Sequence, residues 1–168
     1  MAVLPFGEYR PDVADFNGAH TKNVLNVLPK GDGYGPFKDF NSFTSALPAA
    51  CRGFSYARMA DGSVSVFAGT STKLYNLDNT AGTWTDVSLA AGTYSALSSG
   101  ANWQFAQFNN LVFATQVNAV LQVMDLTSGV FANCAGSPPQ AAYISIVNRF
   151  VVLSGLASPN VYRVHWSG

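Results

Sequence analysis

The chain has 168 residues, 11% of them charged and 13% aromatic, and its nine basic and nine acidic side chains cancel to a formal net charge of zero. That length suits one domain with a core of ordinary depth, and a neutral surface has no field with which to hold a polyanion, which argues against direct nucleic-acid binding. No run approaches the roughly 18 consecutive apolar residues of a membrane span, and Met1–Glu8 lacks the basic and apolar regions of a secretion signal. The expectation is a protein made and assembled in a cytoplasm, with a surface covered by other subunits or carrying ordinary Ser, Thr, Asn and Gly.

Residues 1–50 read as an extended, irregular N-terminal arm. Pro5, Pro11, Pro29, Pro36 and Pro48 puncture it, and Gly31-Asp32-Gly33-Tyr34-Gly35-Pro36 is dense in turn formers. Its one apolar run, Val24–Leu28, reads as a strand or as an extended segment laid on a sheet, and stops at Pro29. Tyr34, Phe37, Phe40 and Phe43 fall three apart. Gly35 and Pro36 argue against a helix there, so these four aromatics are the candidate assembly contacts, anchoring the arm on a sheet of this subunit or the next.

From Arg52 the pattern alternates with a period of two, as half-buried strands require. Phe54–Arg58 leads to an Asp61-Gly62 hairpin turn, Ser63–Thr70 returns with Val64, Val66 and Ala68 on one face, and Lys73–Leu77 and Thr83–Val87 flank a polar turn. The order then recurs as Trp103–Phe108, Leu111–Thr115, Val120–Met124 and Val130–Ala132. A third unit runs through Ala142–Val147, Phe150–Ser154 and Val161–Trp166. The segment from Leu74 to Trp84 aligns without a gap on that from Leu121 to Phe131, an offset of 47 residues that matches Leu74 to Leu121, Asp78 to Asp125, Thr80 to Thr127 and Gly82 to Gly129. Strand repeats of about 40–50 residues are typical of propeller blades and related arrays.

The expected fold is therefore all-β: propeller-like antiparallel sheets, with blades left incomplete, after the arm. Residues 51–168 divide into repeated β units at 51–98, 99–140 and 141–168. Closed propellers have about four to eight blades. The expectation is that these residues are the N-terminal part of a longer polypeptide, or that another chain supplies the missing strands.

Nothing in the sequence proposes a catalyst, a cofactor or a metal site. His20 and His165 lie at opposite ends, and no local spacing joins either to a nucleophile and an orienting group. Asp78 and Asp125 hold one repeat position ahead of a Thr-x-Gly turn, where a carboxylate bonds backbone N–H groups. The spacing of Cys51 and Cys134 fits no zinc motif, and the expected state is two buried free thiols. Gly31, Gly33 and Gly35 lack the strand, helix and Lys-Ser/Thr pair of a phosphate loop, and Asp12, Asp15 and Asp32 fall short of a calcium loop. Trp84, Trp103 and Trp166 are the residues for a sugar platform, though Phe131 at the repeat equivalent of Trp84 points to core packing.

Asn23–Phe37, with its Leu28-Pro29-Lys30-Gly31-Asp32-Gly33-Tyr34-Gly35-Pro36 centre, resembles the opening of tail-tube, nozzle or hub proteins of short-tailed bacteriophages and related prophages. The segment Asn160–Gly168 resembles a strand that recurs in the same proteins. The resemblance implies a structural, non-enzymatic virion protein: a homo-oligomeric ring, often of six, below the portal and adaptor. It implies adaptor, fibre or spike proteins as neighbours, DNA only in transit through the channel, and a place in the virion tail after assembly in the host cytoplasm. The alternative is a carbohydrate-binding β-propeller or adhesin module.

Overall fold

The structure, a computed structural model, describes residues 7–14, 20–30, 33–89 and 92–168. The chain divides into two compact units, Met1–Ser42 and Phe43–Gly168, a boundary somewhat ahead of the one expected near residue 50. Met1–Phe6, Asp15, Gly31 and Asp32 lie outside the described residues, and with them part of the Gly-x-Gly-x-Gly and Asp12–Asp15 readings.

In the first unit the regular element is a hairpin, β1 (Val27–Lys30) with β2 (Gly33–Pro36). The strand starts later than the apolar run and continues through Pro29, where the sequence suggested a stop. The register explains this. Phe37 N–H donates to Asn26 O at 2.8 Å, so pairing alternates to hydrogen-bonded positions at Leu28–Gly35 and Lys30–Gly33. Pro29 and Pro36 then fall on the non-hydrogen-bonded pairs, where a missing N–H costs the ladder nothing. Upstream, Tyr9 and Thr21 form an isolated parallel bridge, with Arg10 N–H donating to Thr21 O and Thr21 N–H to Glu8 O, each at 3.0 Å.

The second unit is three antiparallel sheets, each a meander of sequence neighbours. Sheet A is β3 (Phe54–Arg58), β4 (Val64–Gly69), β5 (Leu74–Asp78) and β6 (Thr83–Asp86). Sheet B is β7 (Gln104–Phe108), β8 (Leu111–Gln116), β9 (Ala119–Asp125) and β10 (Ala132–Asn133). Sheet C is β11 (Ala141–Val147), β12 (Phe150–Leu156) and β13 (His165–Trp166). The last strand is much shorter than the expected Val161–Trp166. Asn160 N–H donates to Ala157 O at 3.0 Å and Arg163 N–H to Asn160 O at 2.9 Å, so this stretch is folded into turns.

The sheets stack in chain order. Ala57, Phe67, Leu74 and Val87 of sheet A meet Trp103, Val112, Met124 and Phe131 of the sheet B repeat in one core. Phe113 and Leu121 on the other face of sheet B meet Ala141, Leu153 and Leu156 of sheet C in a second core. Val64, Val66 and Ala68 do share a face of β4, but Phe67 on the opposite face enters the main core. Its ring packs edge-on against Phe131 with centroids 5.9 Å apart. The first strands lie side by side, β7 next to both β3 and β11. Gln107 locks the first of these contacts: its amide accepts from Arg58 N–H at 2.9 Å and donates to Arg58 O at 2.6 Å. Thr115 Oγ1 donates to Ala141 O at 2.8 Å and ties sheet B to sheet C.

Trp103 is the pin between sheets A and B. It is 2% exposed, its Nε1–H donates to Thr70 O at 2.9 Å, and Tyr94 packs edge-on with centroids 5.0 Å apart. Gly53 and Gly69 make room for it: a Cβ at Gly53 would stand 2.6 Å from Trp103 O, and one at Gly69 would collide with the indole ring.

Candidate functional site

The repeat places the turn carboxylates where their sequence position predicted. Asp78 Oδ1 accepts from Thr80 N–H at 2.8 Å and Ala81 N–H at 3.0 Å. Asp125 Oδ1 accepts from Thr127 N–H at 2.9 Å and Thr127 Oγ1 at 2.7 Å. Asp61 does the same with Ser63 N–H and Oγ at the expected hairpin turn. Hydrogen bonds to the ionised form hold all three carboxyls below their ordinary value. These are turn-forming groups, each with its Oδ1 committed to its own turn.

Other polar groups are equally structural. Lys73 Nζ pairs with Asp86 at 2.5 Å, which raises the lysine pKa. Partial burial pushes the Asp86 carboxyl up, but hydrogen bonds from Lys73 and Ser88 outweigh it and leave the net shift downward. Tyr94 Oη accepts from Leu89 N–H at 2.9 Å and donates to the buried Gln122 at 3.2 Å; burial pushes its pKa up to about 12. Among the described residues no group of three or more His, Cys, Asp or Glu side chains could hold a metal ion. A shallow groove of about 390 Å³ between β3 and β7 is lined by Cys51, Phe54, Asn102 and Gln104 among others, without a carboxylate, a histidine or a cation.

Three expectations need correction. Cys51 is exposed, with Sγ 3.3 Å from Gly53 O, and only Cys134 is partly buried, which raises its thiol pKa; both are free. Cysteine's statistical preference for interiors gave way at position 51 to its place ahead of β3, outside both cores. Trp84 is half-buried on the flank of sheet A, with Nε1–H donating to Ser45 O at 3.1 Å, and is no core residue. The three tryptophans do not share one surface environment either: Trp103 is sealed in the core and Trp166 is 63% exposed on sheet C. His165 is exposed on β13.

Of the candidate assembly contacts, Tyr34 sits on β2, and Phe37 and Phe40 stack edge to face with centroids 5.6 Å apart. Phe43 opens the second unit. All four are exposed, Phe40 and Phe43 most of all.

A larger apolar surface went unnoticed in the sequence. Residues paired across strands share a face, which puts Phe54, Tyr56, Val64 and Val66 on the side of sheet A away from sheet B. Phe54 is 63% and Tyr56 68% exposed, whereas Ala68, Tyr75 and Leu77 on the same face are buried. At the other end of the stack, Tyr143, Val147, Phe150, Val152 and Trp166 share the side of sheet C away from sheet B. Tyr143, Val147, Phe150 and Trp166 are exposed. The signal was present as alternation that stays apolar on both faces of a strand, the mark of a sheet covered on both sides. No family model matches the chain, and no match was found among curated proteins.

Proposed function

We propose that this protein is a structural subunit of a bacteriophage tail, working as a homo-oligomeric ring below the portal and adaptor and forming part of the path by which DNA leaves. The observation that carries the reading is the exposed apolar surface on the outer sheets, Phe54 and Tyr56 on sheet A and Tyr143, Val147, Phe150 and Trp166 on sheet C. Contiguous exposed apolar surface of this kind marks an interaction site on a folded chain. The low charge, the exposed arm aromatics and the resemblance of Asn23–Phe37 and Asn160–Gly168 to tail-tube proteins support the same reading. Polar side chains committed to turns fit a part whose task is mechanical.

The test is the native mass of the purified protein by sedimentation, followed by electron microscopy of the assembled species. Ring-shaped homo-oligomers support the proposal. A stable monomer across the accessible concentration range removes it and favours the glycan-binding alternative. Tryptophan fluorescence would then be titrated with oligosaccharides, with Trp166 as the exposed reporter.

A further inference from the structure

At the seams between sheets, polar side chains are committed to the chain: Gln107 to Arg58, Thr115 to Ala141, Gln122 to Tyr94 and Asn133. The groove between β3 and β7 differs. These two strands are tied at one end by Trp103 N–H, which donates to Arg52 O at 2.7 Å, and at the other by the Gln107 amide on Arg58. No ladder joins them in between. Gly69 N–H donates to Gly53 O and Met59 N–H to Ser63 O, so the odd-numbered residues along β3 bond to β4. The N–H and C=O of Phe54 therefore point away from β4, on the free edge of β3 that borders the groove.

The side chains around that edge bring a hydroxyl, two amides and an aromatic ring. Arg52 Nε–H donates to Asn102 Oδ1 at 3.4 Å, which orients the amide and leaves its Nδ2 hydrogens free. Ser55 Oγ and the Gln104 amide form no hydrogen bond with any described residue. Phe54 presents its exposed ring beside them. The Arg52 guanidinium is itself held by Ser98 O and Ala101 O, so no free charge of either sign lines the groove. Its volume of about 390 Å³ falls within the range of small-molecule sites, about 300–1,000 Å³.

We infer that the groove between β3 and β7 binds a neutral saccharide, with Phe54 under the sugar ring and Ser55, Asn102 and Gln104 on its hydroxyls. A sugar hydroxyl donates and accepts at once, as do an amide and a serine hydroxyl. The C–H face of a pyranose is slightly positive and lies favourably on the negative face of an aromatic ring. An ionic ligand finds no countercharge here, and desolvating it unpaired is costly. A wholly apolar ligand leaves the amides and the Phe54 backbone groups without partners. The site is complete in one chain and goes beyond the ring reading, which it neither needs nor supports. Tyr56 and the exposed residues of sheet C lie outside it.

The experiment is saturation-transfer difference NMR on the whole chain, a measurement that tolerates assemblies of any size. The probes are maltose, cellobiose and lactose at millimolar concentration, with glucuronic acid as the anionic comparison. At least one neutral disaccharide should bind, and glucuronic acid should not. Calorimetric titration of the bound sugar should then show affinity falling about tenfold in Phe54→Ala and about fivefold in Gln104→Ala, the loss of one ring contact and of one hydrogen bond. Trp166→Ala, on sheet C, should leave affinity unchanged. All three side chains are exposed, so far-UV circular dichroism should not change. The tetrasaccharide of the bound sugar separates the two sources of this chemistry: tighter binding than the disaccharide supports a glycan chain as ligand, equal binding a free sugar. No transfer to any neutral sugar, equal binding of glucuronic acid, or binding lost in Trp166→Ala and kept in Phe54→Ala overturns the inference. The native mass decides the ring reading separately, so the two can fail independently.

Discussion

Phe131 and Trp84 hold the same place in two successive sheets. Trp84 pairs with Leu77 inside sheet A, whereas Phe131 lies one residue ahead of β10 and its N–H donates to Val87 O at 2.9 Å. Phe131 is nonetheless sealed in the core, whereas Trp84 is half-buried and held by a single indole hydrogen bond to Ser45. The place in the repeat is common to the two sites; the packing around them is not. Sheet B has a neighbour on each side, so the face that carries Val112 and Met124, with Phe131, is interior. The corresponding face of sheet A has no sheet upon it. Burial in a stacked array is set by position in the stack, and one repeat sequence can serve as core in one layer and as surface in the next.

The sharpest way to break that comparison is to truncate both rings. Phe131→Ala should cost about 3–5 kcal/mol, as deletion of a fully buried aromatic does. Trp84→Ala, which deletes a half-buried ring and its one indole hydrogen bond, should cost about half as much. Urea unfolding monitored by circular dichroism checks both, and equal losses would show that the two layers are equally enclosed. Next in size is Gly69→Ala, which drives a methyl into the Trp103 ring and should cost about 1–3 kcal/mol through overpacking. The same change at Gly62, where a Cβ meets nothing within 4 Å but φ is +88°, isolates backbone strain from the clash.

A third prediction uses the seam between the sheets. Burial raises the folded-state pKa of Tyr94 from 10.0 to about 12. The neutral phenol is favoured in the folded protein, so its contribution is intact below pH 10 and is lost as pH rises through 12. Thermal midpoints followed across that window should fall, and Tyr94→Phe should flatten the dependence. The smallest effects belong to the repeat turns. Asp78 and Asp125 have folded-state pKa values below the ordinary 3.8, so their contribution is present above that value and disappears as pH falls through the depressed one. Asp78→Asn and Asp125→Asn should each lower the urea midpoint slightly at pH 7 and become silent in acid. Being exposed turn groups, they should match each other more closely than Phe131 and Trp84 do.

Turns were the most legible part of this chain, because their chemistry is local. Asp61-Gly62 announces its hairpin by residue type alone, and Asn109 and Asn148 are turn residues of the same kind. Gly62, Asn109 and Asn148 duly have positive φ. Strands β3 and β6 were legible to within a residue for a similar reason, being bounded by turn formers. Which face of a strand is inside was not legible. Ser63–Thr70 is apolar at Val64 and Val66 on one side and at Phe67 on the other, so period-two alternation names the faces without ranking them. Pro29 was misread as a stop because register, a property of two strands, decides whether a missing N–H matters. The open apolar faces escaped for the same reason. They are assembled from cross-strand partners such as Val152 and Trp166, which lie far apart in sequence.

The meander order of sheets A, B and C also has a kinetic side. Every ladder joins strands adjacent in sequence, so each sheet closes only short loops and can form quickly, as low contact order implies. Contacts such as Gln107 with Arg58 and Thr115 with Ala141 reach across sheets and come later. Folding should therefore run in two stages, rapid zipping of single sheets followed by slower docking of one upon the next. During synthesis sheet A emerges first and waits, its Phe67 face uncovered, for Trp103 and Phe131 to arrive.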